Sequence, residues 1–273
     1  MTDPGPSPRP SSRAFRRLVI GCHGEAGSRS ALEATVRLAR IMESQLLGIF
    51  IEDAPLLEWS SSPLTRQVGG GVRSGGPFTP ETLAADFATA AAMMRERLAR
   101  LAGGVGLTAG FRVARSSGSS LDFDGSEPGD LLVVVEPADP MARLSYPFAG
   151  LLQTIARAST PVLYMPHRVL QRRGPVVAIA PQPDERLAAE VAATIGEDLV
   201  SVAPSARGNP SEPGHPLSLQ EVSRALSGVR ERLLVLSRPT LPADDPGLFA
   251  AIATQRMVPT LVAGIGQNGK SQA

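Results

Sequence analysis

The feature that most limits the fold is an alternation, along the whole chain, of short apolar runs with longer alanine-rich segments of helical periodicity. Runs rich in Val, Ile and Leu occur at RLVIG (17–21), QLLGIFI (45–51), GFRVAR (110–115), DLLVVVE (130–136) and PVLYMP (161–166). Runs that are apolar at successive positions predict strands buried on both faces, and intervening helices supply the cover. The pattern therefore predicts an α/β protein of Rossmann-like type, with a parallel sheet inside three α/β/α layers.

Two intervening segments carry clear signals for helix ends. The first begins near Ser28 or Ser30 as N-cap and places Leu32, Val36, Ala39 and Met42 on one stripe. The second begins with Thr79 as N-cap and Pro80 at the first helical position, and Gly103 ends it. Its predicted apolar face comprises Leu83, Phe87, Met94, Leu98 and Leu101.

The same order of elements starts again after the break HRVLQRRG (167–174). LLVVVEP (131–137) is matched by LLVLSRP (233–239), and STPVLYMP (159–166) by MVPTLVAG (257–264), each about 100 residues later. Conserved order and spacing predict an internal duplication. We therefore expect two tandem parallel-sheet domains.

The expected boundaries follow from composition. We predict a disordered lead (1–15), a first domain (16–167), a linker (168–174), a shorter second domain (175–266) and a flexible tail (267–273). We predict that the second domain lacks about one strand-helix unit and that a loop between Pro204 and Leu217 stands in its place.

An insertion (54–78) separates the second predicted strand from the second helix. Its apolar half predicts a short helix or flap, and its glycine-rich half a flexible segment. The apolar residues are Leu56, Leu57, Trp59 and Leu64. We expect them to pack on the protein's own surface, with a partner-binding or lid role as the alternative.

Composition excludes several classes of function. The formal net charge is +1 and no extended basic block occurs, so nucleic acid is not an implied partner. Lys270, in the C-terminal tail, is the only lysine, which argues against a P-loop or Schiff-base lysine. One cysteine and three dispersed histidines are too few for a structural zinc site, and Asp122 and Asp124 are expected to cap a turn. No apolar stretch is long enough to span a membrane, so we expect no membrane insertion and a location in the reducing cytoplasm.

At this point the chain resembles the universal stress protein family in a tandem form with a degenerate second domain. The resemblance rests on RLVIGCHGEAGSRSALEATVRLARIMESQLLGIFIED (17–53), on GDLLVVVEP (129–137) as fourth strand and on STPVLYMP (159–166) as fifth. It implies a fold like that of the adenine-nucleotide hydrolases and a role in stress response. Because single-domain members are expected to pair, the resemblance also implies that the two domains pack as an intramolecular pseudo-dimer, with an intermolecular homodimer as an alternative. In ATP-binding members it implies an acidic residue after the first strand and a G-x2-G-x9-G-[ST] phosphate loop after the fourth.

This sequence departs from that pattern at both places. His23 stands where the acidic residue is expected, and Glu136 and Pro137 stand where the family has glycine and small residues. Only Ala149 and Gly150 keep the small character that lets backbone amides approach phosphate. We therefore expect no cofactor, and no ATP bound in the family's usual manner, with Arg143 offsetting only part of the repulsion.

The turn after the first strand supplies the remaining candidates. GCHGEAG (21–27) does not match a dinucleotide fingerprint. Cys22 and His23 are adjacent in the strand and face opposite sides of the sheet, so they cannot act together as nucleophile and base, and Cys22 is expected to be buried and inert. Neither His167 nor His215 is predicted to be a ligand. The predicted ligand pocket at the carboxyl ends of the strands comprises Gly21, His23, Gly24, Glu136, Arg143, Ala149 and Gly150.

Two functions remain open. The first is a non-catalytic regulatory or stress-response module that acts through contacts with an unidentified protein partner. The second is a nucleotide-binding or nucleotide-hydrolysing α/β protein with a divergent site in the first domain. The missing phosphate loop and the lack of any complete catalytic constellation favour the first, so no catalytic or metal-binding residue is predicted.

Overall fold

A computed structural model describes residues 14–23, 29–62, 79–116, 127, 129–144, 146–158, 160–179, 185–202, 218–238, 241–242, 245 and 247–263. The strands of this part are β1 (Arg17–His23), β2 (Gln45–Asp53), β3 (Ala109–Ser116), β4 (Asp130–Val135), β5 (Val162–Met165), β6 (Val176–Ile179), β7 (Leu199–Val202), β8 (Leu233–Ser237) and β9 (Thr260–Ala263). The helices are α1 (Arg29–Ile41), α2 (Ala54–Ser60), α3 (Pro80–Gly103), α4 (Pro140–Leu144), α5 (Tyr146–Arg157), α6 (Glu185–Ile195), α7 (Leu219–Ala225) and α8 (Leu248–Arg256).

These strands form one continuous sheet with the order β3-β2-β1-β4-β5-β9-β8-β6-β7. Every neighbouring pair is parallel except β5 and β9, which are antiparallel. The predicted α/β class is therefore confirmed. The tandem domain boundaries stay a prediction, since both predicted domains contribute strands to the same sheet.

The junction between β5 and β9 has a regular register. Leu163 lies opposite Leu261, with Val162 opposite Val262 and Tyr164 opposite Thr260. The strand order β7-β6-β8-β9 in the second part of the chain corresponds to β2-β1-β4-β5 in the first. No strand among the described residues pairs with the outer side of β7, so β7 is an edge there.

Helices cover both faces of the sheet. Successive residues of each central strand alternate between two apolar clusters, so that Leu18 and Ile20 belong to one cluster and Val19 to the other. Helices α1, α3 and α6 pack on the first cluster, and α5, α7 and α8 pack on the second. This arrangement confirms the three predicted layers and explains why the strands are apolar on both faces.

Helix α3 matches its sequence signals closely. The Thr79 hydroxyl accepts a hydrogen bond from the Thr82 amide, and the helix ends at Gly103 as predicted. Leu83, Met94 and Leu98 are buried, whereas Phe87 and Leu101 are only half-buried. Gly48 in β2 lets the helix approach the sheet, because a Cβ there would lie 2.6 Å from a Leu98 methyl carbon.

The predicted short helix of the insertion is α2, which packs against α3. Leu56 and Leu57 are half-buried, but Trp59 is 68% exposed, so the expectation that Trp59 packs on the protein's own surface is wrong. Leu64 and the rest of 63–78 lie outside the described residues, as do Asp122, Asp124 and the loop 203–217. No helix in the described part of the chain is long and apolar enough to cross a membrane.

Candidate functional site

The best-defined polar cluster of the described residues surrounds Glu136, directly after β4. Its backbone amide donates to the Met165 carbonyl, which continues the pairing of β4 with β5 by one residue. The Glu136 side chain is only 5% exposed. A carboxylate at such depth has lost most of its hydration and needs hydrogen-bond donors from the protein.

Three residues supply those donors. Arg143 Nη1 lies 3.2 Å from Glu136 Oε1, and the His167 amide donates to Oε2 over 2.7 Å. His167 Nδ1 lies 2.8 Å from Oε2, and the Thr254 hydroxyl lies 3.4 Å from Oε1 and 3.3 Å from Oε2. Because an ionised carboxylate only accepts hydrogen bonds, these contacts occupy both of its oxygens.

Four different elements bring this cluster together. The short helix α4 turns the chain back after β4 and carries Arg143 over Glu136. His167 follows β5, the parallel neighbour of β4, and its side chain reaches the same carboxylate. Thr254 belongs to α8 and is 118 residues away in sequence. The cluster therefore links the first set of strands, β1–β5, to α8, a helix that packs with the second set, β6–β9.

Tyr164 lies beside the cluster, at the centre of the sheet. Burial raises the pKa of its phenol, and the negative charge of Glu136 raises that pKa further. The Tyr164 ring packs edge-on against Phe249 of α8, with ring centroids 5.5 Å apart. The phenol therefore stays protonated, and the region between β5 and α8 is closely packed.

Arg238 occupies the corresponding position after β8, since SRP (237–239) matches VEP (135–137) in the repeated run. Its guanidinium donates to the Ile155 carbonyl over 3.1 Å and to the Thr160 carbonyl over 2.7 Å. Burial lowers the pKa of Arg238 to about 10. Glu136 after β4 contacts α8 in the second half of the chain, and Arg238 after β8 contacts backbone carbonyls in the first half. The two residues therefore reach across the β5–β9 junction in opposite directions and carry opposite charges.

The predicted pocket residues lie on several different elements. Glu136 and Arg143 are in direct contact. Gly21 pairs with Ile49 and Val134 within the sheet, and the His23 backbone pairs with Ile51, so β1 continues two residues beyond its predicted end. Ala149 and Gly150 lie in α5, where Ala149 is exposed. Gly24 lies outside the described residues, and the pocket as a whole stays a prediction.

Sequence reasoning missed His167 and Thr254. His167 could have been found, because it follows β5 at the same edge where Glu136 follows β4, and adjacent parallel strands end side by side. No local signal marks Thr254, whose position depends on how the second set of strands joins the first. Among the described residues, no group of three His, Cys, Asp or Glu side chains is placed to hold a metal ion.

The predicted burial of Cys22 is confirmed. The side chain belongs to the apolar cluster under α1, and burial raises the pKa of its thiol to about 12. The thiol is therefore protonated at neutral pH and inaccessible to a substrate, which makes Cys22 a packing residue.

No protein-family model matches the sequence, and no curated protein is significantly similar to it. Among solved structures, the chain resembles a universal stress protein from Archaeoglobus fulgidus DSM 4304, with a TM-score of 0.59 and 10% identity over 94% of this chain and 98% of that one. A putative universal stress protein from Pseudomonas aeruginosa UCBPP-PA14 matches over 92% of this chain and 94% of its own, with a TM-score of 0.46 and 13% identity. The Archaeoglobus match shows that the chain has the universal stress protein fold.

Proposed function

We propose that this protein is a non-catalytic regulatory module of the universal-stress-protein type, which acts through protein contacts in the cytoplasm and does not bind ATP in the family's usual manner. The observation that carries the proposal is the buried Glu136 carboxylate, with both oxygens engaged. It stands where the family resemblance places the first glycine of the phosphate loop. A fixed negative charge at that point opposes a triphosphate.

The backbone around Glu136 supports the same conclusion. A phosphate cradle needs several free amides that point to one place. Pro137 and Pro140 have no amide hydrogen, and the Arg143 and Met141 amides already donate to Asp139, to its carbonyl and side chain respectively. The segment therefore offers few donors to an incoming ligand.

Arg143, the arginine that pairs with Glu136, is also committed. Arg143 directs Nη1 to Glu136 and lies 3.5 Å from His167 Nδ1. A guanidinium in a part-buried ion pair loses that partner if it turns to a phosphate. Arg143 thus balances Glu136 and supplies little attraction for a nucleotide.

We further propose that the chain is a tandem protein whose halves pair as an intramolecular pseudo-dimer. The register at β5 and β9 supports this, because Leu163 and Leu261 occupy equivalent positions of the repeated runs and lie opposite each other. A two-fold interface brings equivalent residues together in this way. The reciprocal contacts of Glu136 and Arg238 across the junction follow the same symmetry.

Exposed apolar side chains support a role in protein contacts. Trp59 in α2 is 68% exposed, and Met141 and Leu144 in α4 are 71% and 79% exposed. Met141 and Leu144 lie on the same short helix as Arg143, directly beside the Glu136 cluster. Large apolar side chains grouped on a surface are typical of contact sites.

Calorimetric titration of the intact protein with Mg-ATP tests the proposal. We expect no binding tighter than about 10 μM, equivalent to roughly −7 kcal/mol, because each lost charge-assisted hydrogen bond weakens binding about tenfold or more. An ATP-binding universal stress protein serves as positive control under the same conditions. Tighter binding, or measurable release of phosphate, would establish the alternative of a nucleotide-binding or nucleotide-hydrolysing protein.

A further inference from the structure

A cavity of about 130 Å³, partly open to solvent, lies between α1, the linker before β6 and the start of β8. The buried side chains of Leu38, Ile195 and Leu233 contribute to its apolar lining, and Arg37, Arg172 and Arg232 add three guanidinium groups. None of the residues around Glu136 lines this cavity. It is therefore distinct from the candidate site at the carboxyl end of β4.

The charges at the cavity are unbalanced. Arg232 is paired, since its Nη1 lies 2.6 Å from Glu197 Oε1. Arg172 Nη1 lies 4.0 Å from Glu231 Oε1, and the oxygens of Glu231 each accept a 2.7 Å hydrogen bond from Arg256.

Arg37 adds a further positive charge at the cavity. Its side chain is exposed on α1 and forms no ion pair with any residue in the part of the chain that the structure describes. Arg37 and Arg172 therefore leave an excess of positive charge beside an apolar cavity.

We propose that this cavity binds a small apolar carboxylate of about the size of benzoate. Its apolar body would contact Leu38, Ile195 and Leu233, and its carboxylate would pair with Arg37 and Arg172. An engineered apolar cavity of about 150 Å³ holds one benzene molecule, so the volume suits a single six-membered ring. The guanidinium groups select an anion over a neutral molecule of the same shape, since arginine donors match carboxylate geometry.

Such a ligand would connect the two sets of strands. Arg37 and Leu38 belong to α1, whereas Ile195 and Leu233 belong to α6 and β8. A molecule that binds only the folded chain raises the free energy of unfolding by an amount that grows with the ratio of its concentration to its dissociation constant. The inference thus extends the proposed regulatory role to a metabolite that stabilises the packing of α1 against the second set of strands.

Titration of the intact isotope-labelled protein with sodium benzoate, followed by amide NMR shifts, tests the inference. We expect saturable binding with a dissociation constant of about 1 mM or tighter, with the largest shifts in α1, the linker and the start of β8. Benzamide, which has the same ring but no charge, should bind at least about tenfold more weakly. Shifts elsewhere, no saturation, or equal affinity for benzamide would overturn the proposal.

Matched arginine substitutions locate the anion. Arg37→Gln and Arg172→Gln should each weaken benzoate binding about tenfold. Arg40→Gln and Arg168→Gln remove the same charge from exposed residues of α1 and the linker that do not line the cavity, and should change affinity less than about twofold. Thermal unfolding without ligand verifies that each variant is folded. Equal weakening by all four substitutions would assign binding to net charge and overturn the proposed site.

Discussion

Glu136 illustrates how a single buried charge can decide the character of a site. Its carboxylate is almost inaccessible, yet four donor groups from Arg143, His167 and Thr254 surround it. A buried charge is tolerated when hydrogen-bond partners surround it. Removing either the charge or its partners leaves a buried polar group unpaired, which strongly destabilises the fold.

We predict that Glu136→Ala lowers the free energy of unfolding by about 3 kcal/mol, because Arg143 and the His167 amide lose their shared acceptor in a buried place. Denaturant unfolding measures the change. Glu96→Ala is the matched control, since Glu96 pairs with Arg100 on the surface of α3 and both side chains are more than 70% exposed. Equal effects of the two substitutions would contradict the structural role of Glu136.

A second prediction at this scale concerns Cys22. Because burial raises the pKa of the Cys22 thiol to about 12, little thiolate is present at pH 8. Burial also keeps a thiol reagent in solution away from the sulfur atom. Reaction with a colorimetric thiol reagent should be at least about 100-fold slower in the folded protein than in denaturant. Comparable rates in both states would show that the strand β1 opens readily or that Cys22 is accessible.

At the scale of elements, the linker between β5 and β6 is held by specific backbone contacts. The Leu170 amide donates to the Met257 carbonyl, and the Val169 amide lies 3.3 Å from the Ser30 hydroxyl of α1. Gly174 has a φ of 154°, and a Cβ there would lie 1.9 Å from the Arg230 carbonyl oxygen. Only glycine allows the linker to pass this close to the segment before β8.

We therefore predict that Gly174→Ala lowers the free energy of unfolding by about 3 kcal/mol or more, because the backbone must move to accept the methyl group. The control is Gly103→Ala at the end of α3, where a Cβ meets nothing within 4 Å. That substitution should leave stability unchanged or raise it by up to about 1 kcal/mol. A Gly174→Ala variant as stable as the control would refute the close approach.

At the scale of the whole molecule, the continuous sheet couples the two sets of strands. β5 and β9 share backbone hydrogen bonds, α1 contacts α6, and Glu136 and Arg238 reach across the junction from opposite sides. An interface that contains both sheet pairing and buried side chains does not separate without exposing apolar surface.

Unfolding of the intact chain should consequently occur in one cooperative transition. Differential scanning calorimetry is expected to give equal calorimetric and van't Hoff enthalpies, as for a single cooperative unit. Two resolved transitions would show instead that the strands β1–β5 and β6–β9 unfold independently. The variant Val262→Asp, which places a charge at the buried centre of the junction, should broaden or split the transition.

The strands and helix ends can be predicted from the amino-acid sequence alone. The five apolar runs predicted in the first domain each correspond to a strand, as do LLVLSRP (233–239) and MVPTLVAG (257–264) in the second, and the signals at Thr79 and Gly103 bound α3 as expected. These features are predictable because burial periodicity and helix capping depend on residues only a few positions apart. A different rule, that α/β proteins bind ligands at the carboxyl ends of their strands, assigns Glu136 and Arg143 to one predicted pocket, and the two side chains are in contact.

The order in which the strands pair depends on contacts between residues that are distant in sequence. The antiparallel pairing of β5 with β9 brings Thr254 to Glu136 across 118 residues of sequence, and the arrangement of α1, α6 and β8 creates the arginine-lined cavity. Neither result follows from local patterns, because apolar strands of similar composition can pair in many orders. The choice among them depends on the packing of distant helices and on the few buried polar groups that must find partners.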